Sequence, residues 1–247
     1  MTCVARAALA QSSATLLESP TPATAKPPVD QLILWLLDED QQLRGIAFGE
    51  VIFDTTGKKV LPFDANNPVH QRVAKAISAA CDETMKRLNA PGSVIQNVDR
   101  INEISSHFED TLRELLNATS GLRCDLPLTA EGKLQRPGYP DLRITDVESK
   151  RVFYLDPKLY AAGSRESSFR AFYFEPKKAT NKVREDAVHF VVGFEHTPRG
   201  SPNPIWKFTR WDLVDLSWFT VKLKAEFQGS NRDMYRPEAI VASNAER

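Results

Sequence analysis

Two short runs alternate apolar and polar residues around a polar segment, and this predicts a β-hairpin over Tyr139–Tyr160 (YPDLRITDVESKRVFYLDPKLY). In the first run Leu142 and Ile144 alternate with Asp141, Arg143 and Thr145. In the second, Val152, Tyr154, Asp156 and Lys158 alternate with Arg151, Phe153 and Leu155. Asp146–Lys150 is polar and suits the turn. A hairpin symmetric about the Glu148–Ser149 bond sets Asp141 directly opposite Asp156, with Cβ atoms ~4.5–5.5 Å apart. Lys158 is two residues further on and shares their face. Leu142, Ile144, Phe153 and Leu155 point the other way, toward a core. A slip of one residue would dissolve the arrangement.

Helical spacing dominates elsewhere. Over Arg100–Ala118, Ile104, Phe108, Leu112, Leu115 and Leu116 fall on one face, and Asn102 is a candidate N-cap. Glu109 sits at the edge of that stripe and Glu103 nearly opposite it. His70–Leu88 reads as a helix with Val73, Ile77, Ala80 and Met85 inward, and Gln31–Leu37 as a shorter one. Ile46–Phe53 and Lys59–Phe63 predict a second hairpin through Thr55–Lys58. Leu122–Leu128, Phe169–Phe174 and Val188–Glu195 read as strands and Thr180–Ala187 as a short helix. Trp206–Phe208 and Leu213–Leu223 add further strand or helix. Ser12–Pro28, rich in Ser, Thr, Ala and Pro, reads as a disordered linker.

Why chemistry would want the hairpin follows from its charges. Two carboxylates held close repel each other unless a cation lies between them. Few, hard oxygen ligands suit Mg²⁺, which fills the rest of its shell with water and phosphate. A lysine beside them can orient an attacking water and offset charge on a phosphate. Two acids and a lysine are thus the minimal kit for metal-assisted phosphodiester cleavage. The same residues also suit an ordinary solvated hairpin.

Net charge is zero, with 32 basic and 32 acidic residues, which argues against a protein that coats nucleic acid generally. The distribution is less even: Lys150 to Arg184 holds nine basic residues against three acidic ones, beside the candidate acids. Arg165 and Arg170 lead the candidates for phosphate contact, followed by Lys177, Lys178 and Lys182. The three cysteines show no CxxC spacing and the four histidines no metal-binding spacing. Cys81 and Cys124 read as buried free thiols and His189 as a core residue. There is no Walker loop, GxGxxG or GxSxG. Free thiols favour a reducing, cytoplasmic location. Ala8-Leu9-Ala10 looks like a secretory cleavage site without the apolar segment that should precede it. A secreted or periplasmic location is the alternative if a start codon chosen too far downstream has removed that segment. No run is long and apolar enough to predict a membrane span.

Pro140-Asp141 followed across a hairpin by Asp156-x-Lys158 resembles the PD-(D/E)xK nuclease superfamily, which includes many type II restriction enzymes, Holliday-junction resolvases and repair nucleases. Phe108-Glu109 with Leu112, Leu115 and Leu116 resembles the first-helix pattern of its resolvase-like members. The resemblance covers roughly Glu103 to Glu195. It implies an α/β fold, a restriction-endonuclease-like mixed central sheet flanked by helices, with an N-terminal extension. The expected divisions are 1–28 as a disordered or targeting segment, 29–98 as a helix and hairpin region, and 99–247 as the nuclease-like core. It further implies a metal-dependent endonuclease that hydrolyses DNA to 5′-phosphate and 3′-hydroxyl ends. Mg²⁺, or Mn²⁺ in its place, would be held by Asp141, Asp156, the Pro157 carbonyl and Glu109, with Glu103 in reserve. Lys158 would position the water. DNA is the expected partner, and symmetric cutting favours a homodimer. The rival expectations are a non-catalytic nucleic-acid-binding domain of the same fold, and an enzyme acting on a smaller phosphate ester.

Overall fold

The computed structural model describes residues 28–38, 43–168, 171–197, 199–200, 205–224, 226 and 228–242. The expectations for the first 27 residues lie outside these. In chain order the elements are α1 (Pro28–Asp38), β1 (Ile46–Ala47), α2 (Phe48–Thr56), β2 (Val60–Leu61), α3 (Pro68–Leu88), α4 (Ile101–Asn117) and β3 (Leu122–Asp125). There follow β4 (Leu142–Asp146), β5 (Val152–Ala161), β6 (Ala187–His196), β7 (Phe208–Asp215), β8 (Thr220–Val221) and α5 (Asn231–Met234). Two compact units result. Gln42–Lys224 form one; α1 and the C-terminal residues that include α5 belong to the other. Among the described residues no helix is long and apolar enough to cross a membrane.

A mixed six-stranded sheet organises the larger unit, in the order β2-β6-β5-β4-β3 with β7 also on β6. Strands β5 and β6 run parallel, whereas β3, β4 and β5 form an antiparallel meander and β6 pairs antiparallel with β7. Strand β5 lies between two neighbours and is packed on both faces. On one face Leu142, Ile144, Phe153, Leu155, Phe190 and Val192 join Val73 and Ile77 of α3 and Ile104, Phe108 and Leu112 of α4 in a single core. On the other, Val152, Tyr154 and Ala187 meet Phe48 and Ile52 of α2. Helix α3, grouped above with an N-terminal region, therefore shares a core with α4. Its start is well specified: Asn67 Oδ1 accepts from the Val69 and His70 amides, and Pro68 opens the first turn.

Several elements differ from expectation. Ile46–Phe53 is not a hairpin strand; after Ala47 the chain turns into α2. Phe48 and Ile52, one helical turn apart, are both fully buried, and Gly57 closes the helix in the left-handed conformation. Strand β2 then pairs with β6, not with β1. Asn102 is no cap, because α4 starts at Ile101 with Arg100 in the cap position. Thr180–Ala187 forms no helix: Val183 and Ala187 fasten an irregular connection to the second core. Phe169 and Arg170 lie outside the described residues, and Ala171–Phe174 is not a strand. Its alternation is nonetheless real, since Phe172 and Phe174 pack edge-on against Phe48 while their neighbours face solvent.

Phe108 lies between Phe194 (ring centroids 4.7 Å apart) and Phe208 (4.6 Å), all in the closed core. Phe108→Ala is expected to destabilise the protein by about 3–5 kcal/mol. Asn67→Ala, which removes only a cap, should cost about 1 kcal/mol. Urea denaturation measures both; equal costs for the two variants would contradict this account of the core.

Candidate active site

The hairpin register is the one its symmetry requires. Leu142 pairs with Leu155, Arg143 with Tyr154 and Ile144 with Phe153, and one step further on Asp141 stands across from Asp156. The Asp146 amide donates to the Arg151 carbonyl (3.0 Å) at the turn, so the odd-numbered residues of β5 present their backbone groups to β4. Continued outward, that alternation brings Pro157 opposite Pro140. Neither proline has an N–H to donate across this pair.

Val152–Pro157 are all buried. Asp156 is only 1% exposed and shares Lys158 with Asp141. The ammonium lies 3.8 Å from Asp141 Oδ2 and is in direct contact with Asp156 Oδ2. Apart from that contact, Asp156 Oδ2 has no hydrogen-bond donor among the described residues. Burial first, and then the charge of Asp156, pushes the Asp141 carboxyl well above the usual carboxylate range. Burial works against the charge of Lys158, yet Asp156 and Asp141 more than offset it and raise its pKa.

Glu109 reaches this cluster from α4. Its side chain is mostly buried, burial raises its pKa, and it feels the charges of Arg136, Asp156 and Lys158. Arg136 approaches Glu109 Oε2 at 3.4 Å and also pairs with Asp110. Glu103, by contrast, is exposed in the first turn. His107 is half-buried on α4.

One residue of this cluster ranked low in the sequence. Lys182 is 1% exposed and donates to the carbonyls of Arg136 (3.1 Å) and Gln135 (3.4 Å). Burial lowers its pKa, and Asp141, Asp156 and Glu109 act in the opposite sense. The neighbouring residues hold it in place: the Arg184 amide donates to the Tyr154 hydroxyl (2.9 Å), and Glu185 pairs with Arg143 (2.8 Å). Nothing in the basic run marks Lys182 as buried, because its partners are backbone carbonyls 46 and 47 residues away. Tyr139, beside Pro140, bonds His189 Nδ1 (2.6 Å). Burial lowers His189 to about 3, so it is neutral, and its Nε2 has no hydrogen-bond partner among the described residues. Thus His189 is a core residue satisfied on one side.

The other phosphate-contact candidates have partners elsewhere or face solvent. Arg165 follows β5 and pairs with Asp212 at 3.5 Å; Lys177 pairs with Glu175 at 2.8 Å; Lys178 is exposed. Arg170 lies outside the described residues. Cys81 and Cys124 are buried free thiols.

Two carboxylates in mutual repulsion, one of them buried with an oxygen that the Lys158 ammonium alone is seen to approach among the described residues, fit a small hard cation. Among the described residues no three His, Cys, Asp or Glu side chains converge on one point.

A model of the type II restriction enzyme MjaV family matches residues 41–238, most of the chain and all of the cluster above. The chain belongs to this family. It is 28% identical over 211 residues to the type II restriction enzyme MjaV of Methanocaldococcus jannaschii, spanning 81% of this chain and 90% of that protein. A crystal structure of the restriction endonuclease BglI bound to its DNA recognition sequence aligns over 76% of each chain, with a TM-score of 0.35 and 10% sequence identity, a likeness too slight to argue from.

For this family member the raised Asp141 pKa has a sign that can be tested. Its protonated form is favoured by folding, so its contribution to stability is fully present below the ordinary aspartate pKa and is lost as pH rises through the raised value. Asp141→Asn should therefore stabilise the metal-free protein at neutral pH, with the advantage shrinking toward pH 4. Thermal melts in EDTA across that range check it; an advantage that grows on acidification would refute the assignment.

Proposed function

We propose that this chain is a Mg²⁺-dependent DNA endonuclease with Asp141, Asp156, Lys158 and Glu109 as its catalytic centre. One observation carries the reading. Asp156, buried on β5, and Asp141, just before β4, are held against each other with the Lys158 ammonium between them. Membership of a restriction enzyme family supports DNA as the substrate.

Asp141 and Asp156 would hold the ion through side-chain oxygens, with the Pro157 carbonyl as a further ligand and Mn²⁺ as a substitute. When bound, the ion supplies Lewis acidity: it lowers the pKa of a water and withdraws charge from the phosphoryl group. Lys158, fixed by both acids, donates to the attacking water and afterwards offsets charge on the pentavalent phosphorus. Glu109, its pKa raised by burial and its side chain approached by Arg136, would accept a hydrogen bond from that water or help hold a second ion. Lys182 fastens the 135–136 segment, and so the arm that carries Arg136, beside the acids. Arg165, Lys177 and Lys178, with Arg170, would contact phosphates further along the strand. Cutting both strands calls for two such centres, and a homodimer supplies them.

Supercoiled plasmid incubated with Mg²⁺, with Mn²⁺ and with EDTA tests the reading. Nicking or linearisation should need metal and vanish in Asp156→Ala. Lys158→Ala should lose about 10²-fold or more in rate, while the far-ultraviolet spectrum and melting curve persist. Undiminished cleavage by the folded variants would sink the assignment.

A further inference from the structure

On the sheet face that carries Asp156, the strand registers run on past the acids in two rows. Lys158, Gly193 and Asp212 stand side by side on β5, β6 and β7, and Tyr160, Glu195 and Arg210 form the next row. The second row lies about 7 Å beyond Lys158, and β7 lies about 10 Å across from β5. Gly193 leaves the middle of the first row open: a Cβ there would stand 3.0 Å from the Tyr160 ring. The ring takes that space, and its hydroxyl donates to Asp212 Oδ2 (3.4 Å). Arg210 donates to Asp212 Oδ1 (2.8 Å), and the Thr209 hydroxyl donates to Glu195 Oε1 (3.1 Å). Arg210 is about half exposed, at 49%, so its guanidinium has N–H groups in reach of solvent or ligand.

Arg165, from the basic segment Lys150–Arg184, reaches this face and pairs with Asp212 at 3.5 Å. Arg165 and Arg210 are balanced by Glu195 and Asp212, whereas a surface that holds only the DNA backbone needs a surplus of cations. Base edges, unlike phosphates, call for donors and acceptors together: a guanidinium matches guanine O6 and N7, and a carboxylate matches cytosine N4. A scissile phosphate that meets Asp156 and Lys158 brings duplex over this same face. An exposed ion pair kept for stability alone contributes little. It gives no reason for a glycine that lets a tyrosine aim the carboxylate.

We propose that Arg210 and Asp212, with Tyr160 as the positioning residue for the carboxylate, read a G·C base pair two or three steps from the scissile phosphate. At a rise of about 3.4 Å per step, that is the reach from Lys158 to these rows. The inference rests on the endonuclease reading.

Wild type, Arg210→Ala, Arg210→Lys, Asp212→Asn and Tyr160→Phe are compared on duplex DNA of randomised sequence. Cleavage is followed with Mg²⁺ and binding with Ca²⁺ in its place, cut and bound molecules are sequenced, and melting curves report folding. The wild type should select sequences. Arg210→Ala and Asp212→Asn should lose discrimination at the same base pair, about tenfold to a hundredfold, and Tyr160→Phe should lose part of it. Arg210→Lys keeps the charge without the planar fork and should fail like the alanine variant. A loss equal on all sequences, with the salt slope reduced by about one, would identify a phosphate contact and overturn the proposal. Unchanged selectivity in all folded variants would overturn it too. A wild type that cuts nothing yet binds selectively, with selectivity lost in the variants, would refute the catalytic assignment and uphold this one. A wild type that cuts all sequences alike would do the reverse.

Discussion

Everything at the candidate centre depends on β5 having no freedom to slide. Hydrogen bonds tie it to β4 on one edge and β6 on the other, and separate cores close over its two faces. A shift of one residue would drive Phe153 and Leu155 into the space of Tyr154 and Val152 and swing Asp156 into the helix-covered core. The apolar residues of the hairpin therefore fix the position of the carboxylates more firmly than any bond the carboxylates make themselves.

That rigidity lets the protein hold charges in an arrangement they would not choose. Asp141 and Asp156 are kept close in a region that burial makes hostile to charge, and burial shifts Lys182 and Glu109 toward their neutral forms as well. In water such a cluster would spread apart. Here the strands, the 135–136 segment fastened by Lys182 and the ion pairs around Glu185 prevent it. A divalent cation would relieve the repulsion without any movement of the scaffold, which is the meaning of preorganisation in such a centre.

The parts legible in the sequence are those in which local pattern and tertiary environment agree. The hairpin's register, the inward face of α4 with Ile104, Phe108, Leu112 and Leu116, and the strand at Val188–Glu195 follow from period and burial alone. Ile46–Phe53 misleads because Phe48 and Ile52 satisfy a helical spacing inside a run that also looks β-prone, and Gly57 decides between the two only through its left-handed conformation. Phe172 and Phe174 alternate as a strand would, but they find rings and no partner strand. Lys182 reads from the sequence as a phosphate contact because a buried ammonium capped by carbonyls has no local signature. The partnership of Arg136 with Glu109 was invisible for the same reason: it joins an irregular loop to a helix 27 residues away.

Strand β5 obeys the ordinary rules of a central strand up to Leu155 and then breaks them in succession. Asp156 buries a charge, Pro157 removes a ladder donor, and Lys158 lies next to a glycine in the middle of β6. Each break weakens a sheet in isolation. All of them fall beyond Leu142 and Leu155, the last pair of β4 with β5, so the ladder that holds the register is left intact. The sheet is thus divided along its length: one half is made to hold the register, and the other uses that register to hold what a stable sheet would exclude.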